Sequence, residues 1–142
     1  MKEKNTEAAY KRAAEYFSQG YNCSQSVLKA GQEVLGLEIP SDIIKATAGF
    51  SGGIGYSGCV CGALTGAVML IGLTSSEVDV KRNRKVIKES AKLYRWFEKE
   101  FSTPCCITIR QGRPFSNKKV EQRCTEITAQ TARKVVEMLS ED

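Results

Sequence analysis

Residues 77–101, EVDVKRNRKVIKESAKLYRWFEKEF, decide the fold class. Lys81, Lys85, Lys88, Lys92, Arg95 and Lys99 recur at alternating steps of four and three. Ile87, Ala91, Tyr94 and Phe101 fall on the opposite side, so the stretch reads as a helix with one basic face and one core face. Downstream, Ser102-Thr103-Pro104 ends that helix and Cys105-Cys106 leads a short piece to Arg110. After a loop at 112–117, a last helix from about Lys118 to Ser140 carries Val120, Cys124, Ile127, Thr131, Val135 and Met138 on one stripe. Upstream, Thr74 or Ser75 is the expected cap of the basic helix, and a helix opening at Cys59 or Cys61 reaches about Leu73. A glycine loop, Gly49 to Gly58, precedes it. Before the loop lie a short helix capped by Ser41, a helix starting at the N-cap Asn22 and stopping at Gly36, and a first helix from Thr6 to Gln19 followed by Gly20. No run alternates with period two for long, and Ile107-Thr108-Ile109 is the best strand candidate. The expected architecture is all-α: one helical bundle over 1–142 of about six helices, its motif-bearing core at about 20–128, with a Gly-rich loop before the central Cys-bearing helix.

Composition narrows the chemistry. With 142 residues, 42% hydrophobic and 26% charged, the chain is long enough to bury a core without disulfide or metal staples. Histidine is absent. That excludes haem ligation by His, Cys₂His₂ zinc sites and Ser-His or Cys-His nucleophile pairs, so the chemistry must run on thiols or carboxylates. The start, Met1-Lys2-Glu3-Lys4-Asn5, shows no apolar signal-peptide core, which predicts a cytosolic protein. The uncharged stretch from Ala46 to Ser76 holds eight glycines and seven Ser or Thr, so it reads as buried rather than as a membrane span. In a reducing compartment thiols serve metals and redox chemistry more often than structural bridges. The net charge of +5 tilts the protein toward anionic partners without naming one.

Six cysteines therefore carry the functional reading. Cys23, Cys61 and Cys106 each sit where a helix begins, near backbone N–H groups and the positive end of the helix dipole, which favours the thiolate. Cys124 lies further into its helix on the core-facing stripe and points toward whatever the other three surround. Cys59-Val60-Cys61 puts two thiols within reach of one centre. The bland alternative is that all are small buried hydrophobes.

Tyr21-Asn22-Cys23-Ser24-Gln25-Ser26-Val27, then Cys61-Gly62-Ala63-Leu64-Thr65-Gly66, then Cys106 and Cys124, resembles the redox-active bacterial protein family named for its C…CGAxxG…C…C pattern. The resemblance runs from about Gly20 to the C-terminus. It implies redox work by Cys23, Cys61, Cys106 and Cys124, with Cys59 and Cys105 as extras. Some members carry selenocysteine, and related domains in split-Soret-type cytochromes are associated with an iron–sulfur cluster. Two mechanisms fit four convergent cysteines. In one, a low-pKa thiol, with Cys61 the first choice, attacks a substrate disulfide or peroxide and a neighbour resolves the intermediate. In the other, the four thiolates hold an iron–sulfur cluster, or zinc, and no haem or nucleotide is involved. The spacings between successive members match no compact ferredoxin or zinc-ribbon run, so both stay open.

The remaining signals are weaker. Gly53-Ile54-Gly55-Tyr56-Ser57-Gly58 satisfies GxGxxG, with Glu77 nearly twenty residues on, but no strand precedes it; its glycines more simply supply positive φ and close backbone approach. The lysine stripe reads as a solvated face rather than a nucleic-acid platform, because aromatics do not interleave with it, and Trp96 is placed at its edge. The sequence therefore supports a thiol oxidoreductase or electron-transfer protein working on a redox partner or a small-molecule disulfide. The alternatives are a zinc- or cluster-binding module without turnover, and a structural helical protein with inert thiols, dimeric or larger through Gly62 and Gly66.

Overall fold

The computed structural model describes residues 2–75, 78–79 and 81–140. In chain order it contains α1 (Lys2–Ser18), α2 (Cys23–Leu35), α3 (Ser41–Ala46), a 3₁₀ turn (Ala48–Phe50), α4 (Gly62–Leu73), α5 (Arg84–Phe101), α6 (Cys106–Ile109) and α7 (Lys118–Leu139). Among the described residues there is no strand. The strand candidate Ile107-Thr108-Ile109 is part of the single turn α6, closed by Ile109 and Arg110 N–H groups donating to the Cys105 and Cys106 carbonyls.

The packing follows from where the small and apolar residues fall. Helix α2 is central, touching α1, α4 and α7, and α7 also lies along α1 and α4. Ala9 and Ala13 on α1, Ala30 and Gly31 on α2, and Ala129 and Ala132 on α7 keep these contacts close, while Leu28, Leu64, Leu70, Phe97 and Val135 supply bulk. Helix α4 is apolar on nearly all sides and correspondingly buried along most of its length. No helix among the described residues is long and apolar enough to cross a membrane.

Local signals place most boundaries. Asn22 caps α2 in a reciprocal capping box: its side chain accepts from the Gln25 N–H at 2.8 Å, and the Gln25 side chain accepts from the Asn22 N–H at 3.2 Å. Gly36 closes the same helix in the left-handed conformation, φ 66°. Asn117 caps α7 in the same side-chain manner as Asn22 caps α2. The expected caps at Ser41, Thr74 and Ser75 are not used: Ser41 is the first residue of α3 behind Pro40, and Asn83 stands at the start of α5.

Helix α5 departs most from expectation. It starts at Arg84, so Lys81 lies in the preceding turn; the predicted start Glu77 falls outside the described residues. Its core face is Leu93, Phe97 and Phe101, with Val86 half-buried, whereas Ile87, Ala91 and Tyr94 are exposed. The lysines mark the solvent side correctly. What lies opposite them at 100° per residue is the Val86–Leu93–Phe97 line, and Ile87 and Tyr94 flank it. Trp96 packs edge-on against Phe97 and Phe101 with centroids 6.4 and 5.5 Å away, the rim position assigned to it.

Gly62 and Gly66 do permit close approach, but of α2 rather than of a second copy. A Cβ on Gly66 would stand 2.6 Å from the Ser24 carbonyl oxygen and 2.7 Å from its Cα; one on Gly62 would stand 3.1 Å from Ser24 Oγ and 3.2 Å from Cys23 Cβ. Both glycines are buried under α2, so this face is not available for the oligomer contact considered from sequence. The crossing is locked by the buried Ser24 hydroxyl, which donates to the Gly62 carbonyl at 2.6 Å and sits 3.1 Å from Thr65 Oγ1.

A second tie joins the glycine loop to the segment before α6. The Cys61 N–H donates to the Pro104 carbonyl at 2.7 Å, and the Ile107 N–H to the Gly58 carbonyl at 2.9 Å. Between these bonds Cys59 and Cys105 form a disulfide across 46 residues. The two extra cysteines, whose roles the sequence leaves open, are thus bonded to each other, and the other four cysteines are free.

Two stability measurements test this description. Gly66→Ala should destabilise the fold by about 2–3 kcal/mol in denaturant titration, because the new methyl meets backbone that cannot yield. Gly72→Ala, in the same helix with open space around the site, should be neutral or up to about 1 kcal/mol stabilising. Cys59→Ser/Cys105→Ser should lose up to about 4 kcal/mol under oxidising conditions, the loop-entropy scale for a crosslink of this span. Under reducing conditions it should match the wild-type chain.

Candidate functional site

Cys23, Cys61, Cys106 and Cys124 all line one cavity of about 420 Å³. Each arrives by a different route. Cys23 is the first residue of α2, set by the Asn22 cap, whose Nδ2 also donates to Ser51 Oγ at 2.9 Å and so ties the start of α2 to the glycine loop. Cys61 is the N-cap residue of α4. Cys106 opens α6. Cys124 projects from the second turn of α7 on its buried stripe. The aromatic side chains of Phe17, Phe50, Tyr56 and Phe115 also line the cavity, with Tyr56 and Phe115 edge to face at 6.1 Å. Cys59 and Cys105, bonded to each other, do not line it.

The glycine loop carries backbone that few residues adopt. Gly53 has φ +74°, and a Cβ there would stand 2.5 Å from the Cys59 nitrogen. Ile54 and Tyr56 also take positive φ, 60° and 62°. A β-branched residue in that region is an outlier that surrounding contacts must hold. Here loop hydrogen bonds do so, among them Gly55 N–H to the Gly49 carbonyl at 2.8 Å and Tyr56 N–H to the Ser51 carbonyl at 2.9 Å. A 3₁₀ turn rather than a strand precedes the loop, so GxGxxG here lacks the βαβ context of a dinucleotide site.

The thiols are not equivalent. Cys23 and Cys61 face each other in the cavity, and the Cys61 thiol lowers the pKa of Cys23 against the opposing effect of burial. Thr128 contributes in the same direction. Its buried hydroxyl makes no hydrogen bond of ordinary geometry, yet it lies close enough to the Cys23 sulfur to favour the thiolate. The same pairing raises the pKa of Cys61 well above the ordinary thiol value, reinforced by burial and by charge on Cys23, with only the Ala63 N–H pulling the other way. The thiolate of this pair therefore forms first at Cys23. Cys124 is pushed up to about 12 by burial and by the neighbouring charges of Cys23 and Cys106, with Arg110 and Arg123 opposing. Cys23 also keeps partial exposure, whereas the other three are buried. A helix N-terminus alone, the basis for expecting a reactive Cys61, is outweighed at that position by its neighbour's charge.

Among the described residues, no three Cys, Asp or Glu side chains are grouped so as to share a single metal ion. Two contributors were not anticipated from sequence. Ser24 fixes the separation of Cys23 from Cys61, and Thr128, one helical turn beyond Cys124, faces Cys23. The signal for Thr128 was its i,i+4 spacing from Cys124.

No solved structure matches the chain. A protein of Archaeoglobus fulgidus, described as an uncharacterized protein, is 26% identical over 132 residues, covering 87% of each chain. A family model described as "Putative redox-active protein (C_GCAxxG_C_C)" matches residues 21–138, which include all four cavity cysteines. The chain, with Cys61-Gly62-Ala63-Leu64-Thr65-Gly66 as its central motif, belongs to that redox-active family.

Proposed function

We propose that the protein is a thiol–disulfide oxidoreductase whose working pair is Cys23 and Cys61. The observation that carries this reading is that Cys23 and Cys61 are free thiols facing one cavity large enough for a small disulfide, with their chain neighbours Ser24 and Gly62 hydrogen-bonded to each other. The Cys23 thiolate attacks one sulfur of a substrate R–S–S–R′, forming Cys23–S–S–R and expelling R′S⁻. That anion takes the proton of the Cys61 thiol, leaving as R′SH. The Cys61 thiolate then attacks the Cys23 sulfur, closing a Cys23–Cys61 disulfide and releasing RS⁻. Two electrons have moved from the protein dithiol to the substrate, and an external thiol reverses the sequence. Cys106 and Cys124, buried in the same cavity, act as the reserve thiols that accept exchange from the oxidised pair.

The shared cavity favours one second reading. All-thiolate ligation is the chemistry of iron–sulfur clusters and of structural zinc. The described thiols are too spread for one zinc ion, but a cluster presents several metal atoms and suits four sulfurs around one space. Cys23, Cys61, Cys106 and Cys124 would hold it, and it would supply one-electron transfer. Protein purified anaerobically would then be brown and would bleach with a chelator and oxidant, whereas the dithiol protein is colourless in both states.

Mild oxidation of the colourless protein should remove two thiols, and peptide mapping should find Cys23 linked to Cys61. Cys23→Ser and Cys61→Ser should each reduce disulfide turnover by on the order of 10³-fold, as expected for a nucleophile or its resolving partner; loss from only one variant would reassign the pair. The alkylation rate of Cys23 by iodoacetamide follows its thiolate fraction, so it should already be high below the ordinary thiol range. In Cys61→Ala the neighbouring thiol is gone while burial persists, so the midpoint of that pH profile should move upward. A midpoint unchanged by Cys61→Ala would break the link between the two sulfurs.

A further inference from the structure

Against the thiol cavity lies a second, separate pocket of about 300 Å³ that shares only Ile109 and Cys124 with it. Its lining includes Arg110, Arg113, Lys119 and Arg123 and no Asp or Glu. None of the four cations forms an ion pair with any described residue. Arg110 is held in place on two sides: Nη1 donates to the Arg113 carbonyl at 2.7 Å, and the guanidinium lies 4.5 Å from the centroid of the Phe115 ring. Its Nε is nonetheless buried without a hydrogen-bond partner. A buried guanidinium N–H left unmade is costly, and four like charges around one small pocket repel, so the arrangement is satisfied by an oxyanion that accepts from the guanidinium forks. Arg110 and Arg123 also lie close enough to Cys124 to act on its ionisation, which puts the charge beside the sulfur cluster rather than on a remote surface.

We propose that this pocket binds the oxyanion end of a small-molecule disulfide, a carboxylate or a phosphate, and presents the sulfur–sulfur bond to the thiol cavity across Cys124 and Ile109. The inference rests on the oxidoreductase reading and adds to it a substrate class: acidic low-molecular-weight disulfides in preference to neutral ones. The reaction itself is the exchange already written, with the leaving thiol carrying the anionic group away.

The full-length reduced protein can be mixed with 3,3′-dithiodipropionate, with coenzyme A disulfide and with neutral 2-hydroxyethyl disulfide, following thiol release by stopped flow. The anionic compounds should react at least about tenfold faster per mole than the neutral one at low ionic strength, the advantage shrinking as salt is added. In Arg110→Gln/Arg123→Gln the ratio of anionic to neutral rate constants should fall about tenfold. Arg113→Gln/Lys119→Gln, whose side chains are exposed, should lower the same ratio without threatening the fold. Preference for dithiodipropionate alone assigns a carboxylate, and preference for the coenzyme A compound alone a phosphate. Equal rates for all three disulfides, or ratios indifferent to both double variants, would overturn the inference while leaving the dithiol intact. If no disulfide reacts, the dithiol reading itself fails. Calorimetric titration with the unreactive thioether 3,3′-thiodipropionate then judges the pocket: binding that Arg110→Gln/Arg123→Gln abolishes retains an anion site, and no binding removes it.

Discussion

The contact between the start of α2 and the start of α4 is the constraint on which the site depends. Helix backbones approach this closely only where one of them lacks side chains, and Gly62 and Gly66 supply the gap into which Ser24 fits. The Ser24 hydroxyl then spends its donor on the Gly62 carbonyl in the first turn of α4. Because Cys23 precedes Ser24 and Cys61 precedes Gly62, the same contact that packs the helices sets one sulfur against the other. Fold stability and sulfur chemistry are thus coupled through four consecutive-neighbour residues.

Burial makes that pair chemically asymmetric. A thiol removed from water resists ionisation, and four thiols near one another resist it more, since each thiolate formed raises the cost of the next. The site resolves this by ionising one member only. Cys23 has the Cys61 S–H, the Thr128 hydroxyl and the opening of α2 on its side, together with partial exposure. Cys61 has the Ala63 N–H and little else. The result is one thiol of the pair that ionises more readily than its neighbour, the asymmetry on which the proposed exchange chemistry draws.

The sequence was most informative where one residue type has one local use. Asn22, Gly20 and Gly36, and the paired small residues of α4 announced boundaries and a close crossing, and each is found where expected. The four cavity cysteines could be nominated because three stand at helix openings and the fourth on a buried stripe. The basic stripe of α5 also marked solvent correctly. Its opposite face did not follow, because Ile87 and Tyr94 are apolar yet sit beside the core line rather than on it, and only the packing of Leu93 and Phe97 against the bundle decides that rotation. Likewise the ionisation order of Cys23 and Cys61 was hidden: both occupy helix starts, and the difference between them arises from their meeting across 37 intervening positions.

Cys105 and Cys106 show how adjacent residues of one type acquire opposite roles. Cys105 has extended backbone, φ −90° and ψ 118°, while Cys106 begins the turn of α6. Extended geometry sends successive side chains to opposite faces, so Cys105 turns toward Cys59 and Cys106 toward the cavity. The backbone bonds on either side, Cys61 to Pro104 and Gly58 to Ile107, hold the two loops in the register that this division requires. The disulfide therefore stands behind the redox cavity as a brace between the segments that deliver Cys61 and Cys106. Its two sulfurs are spent in holding the wall, and the four that face inward are left free.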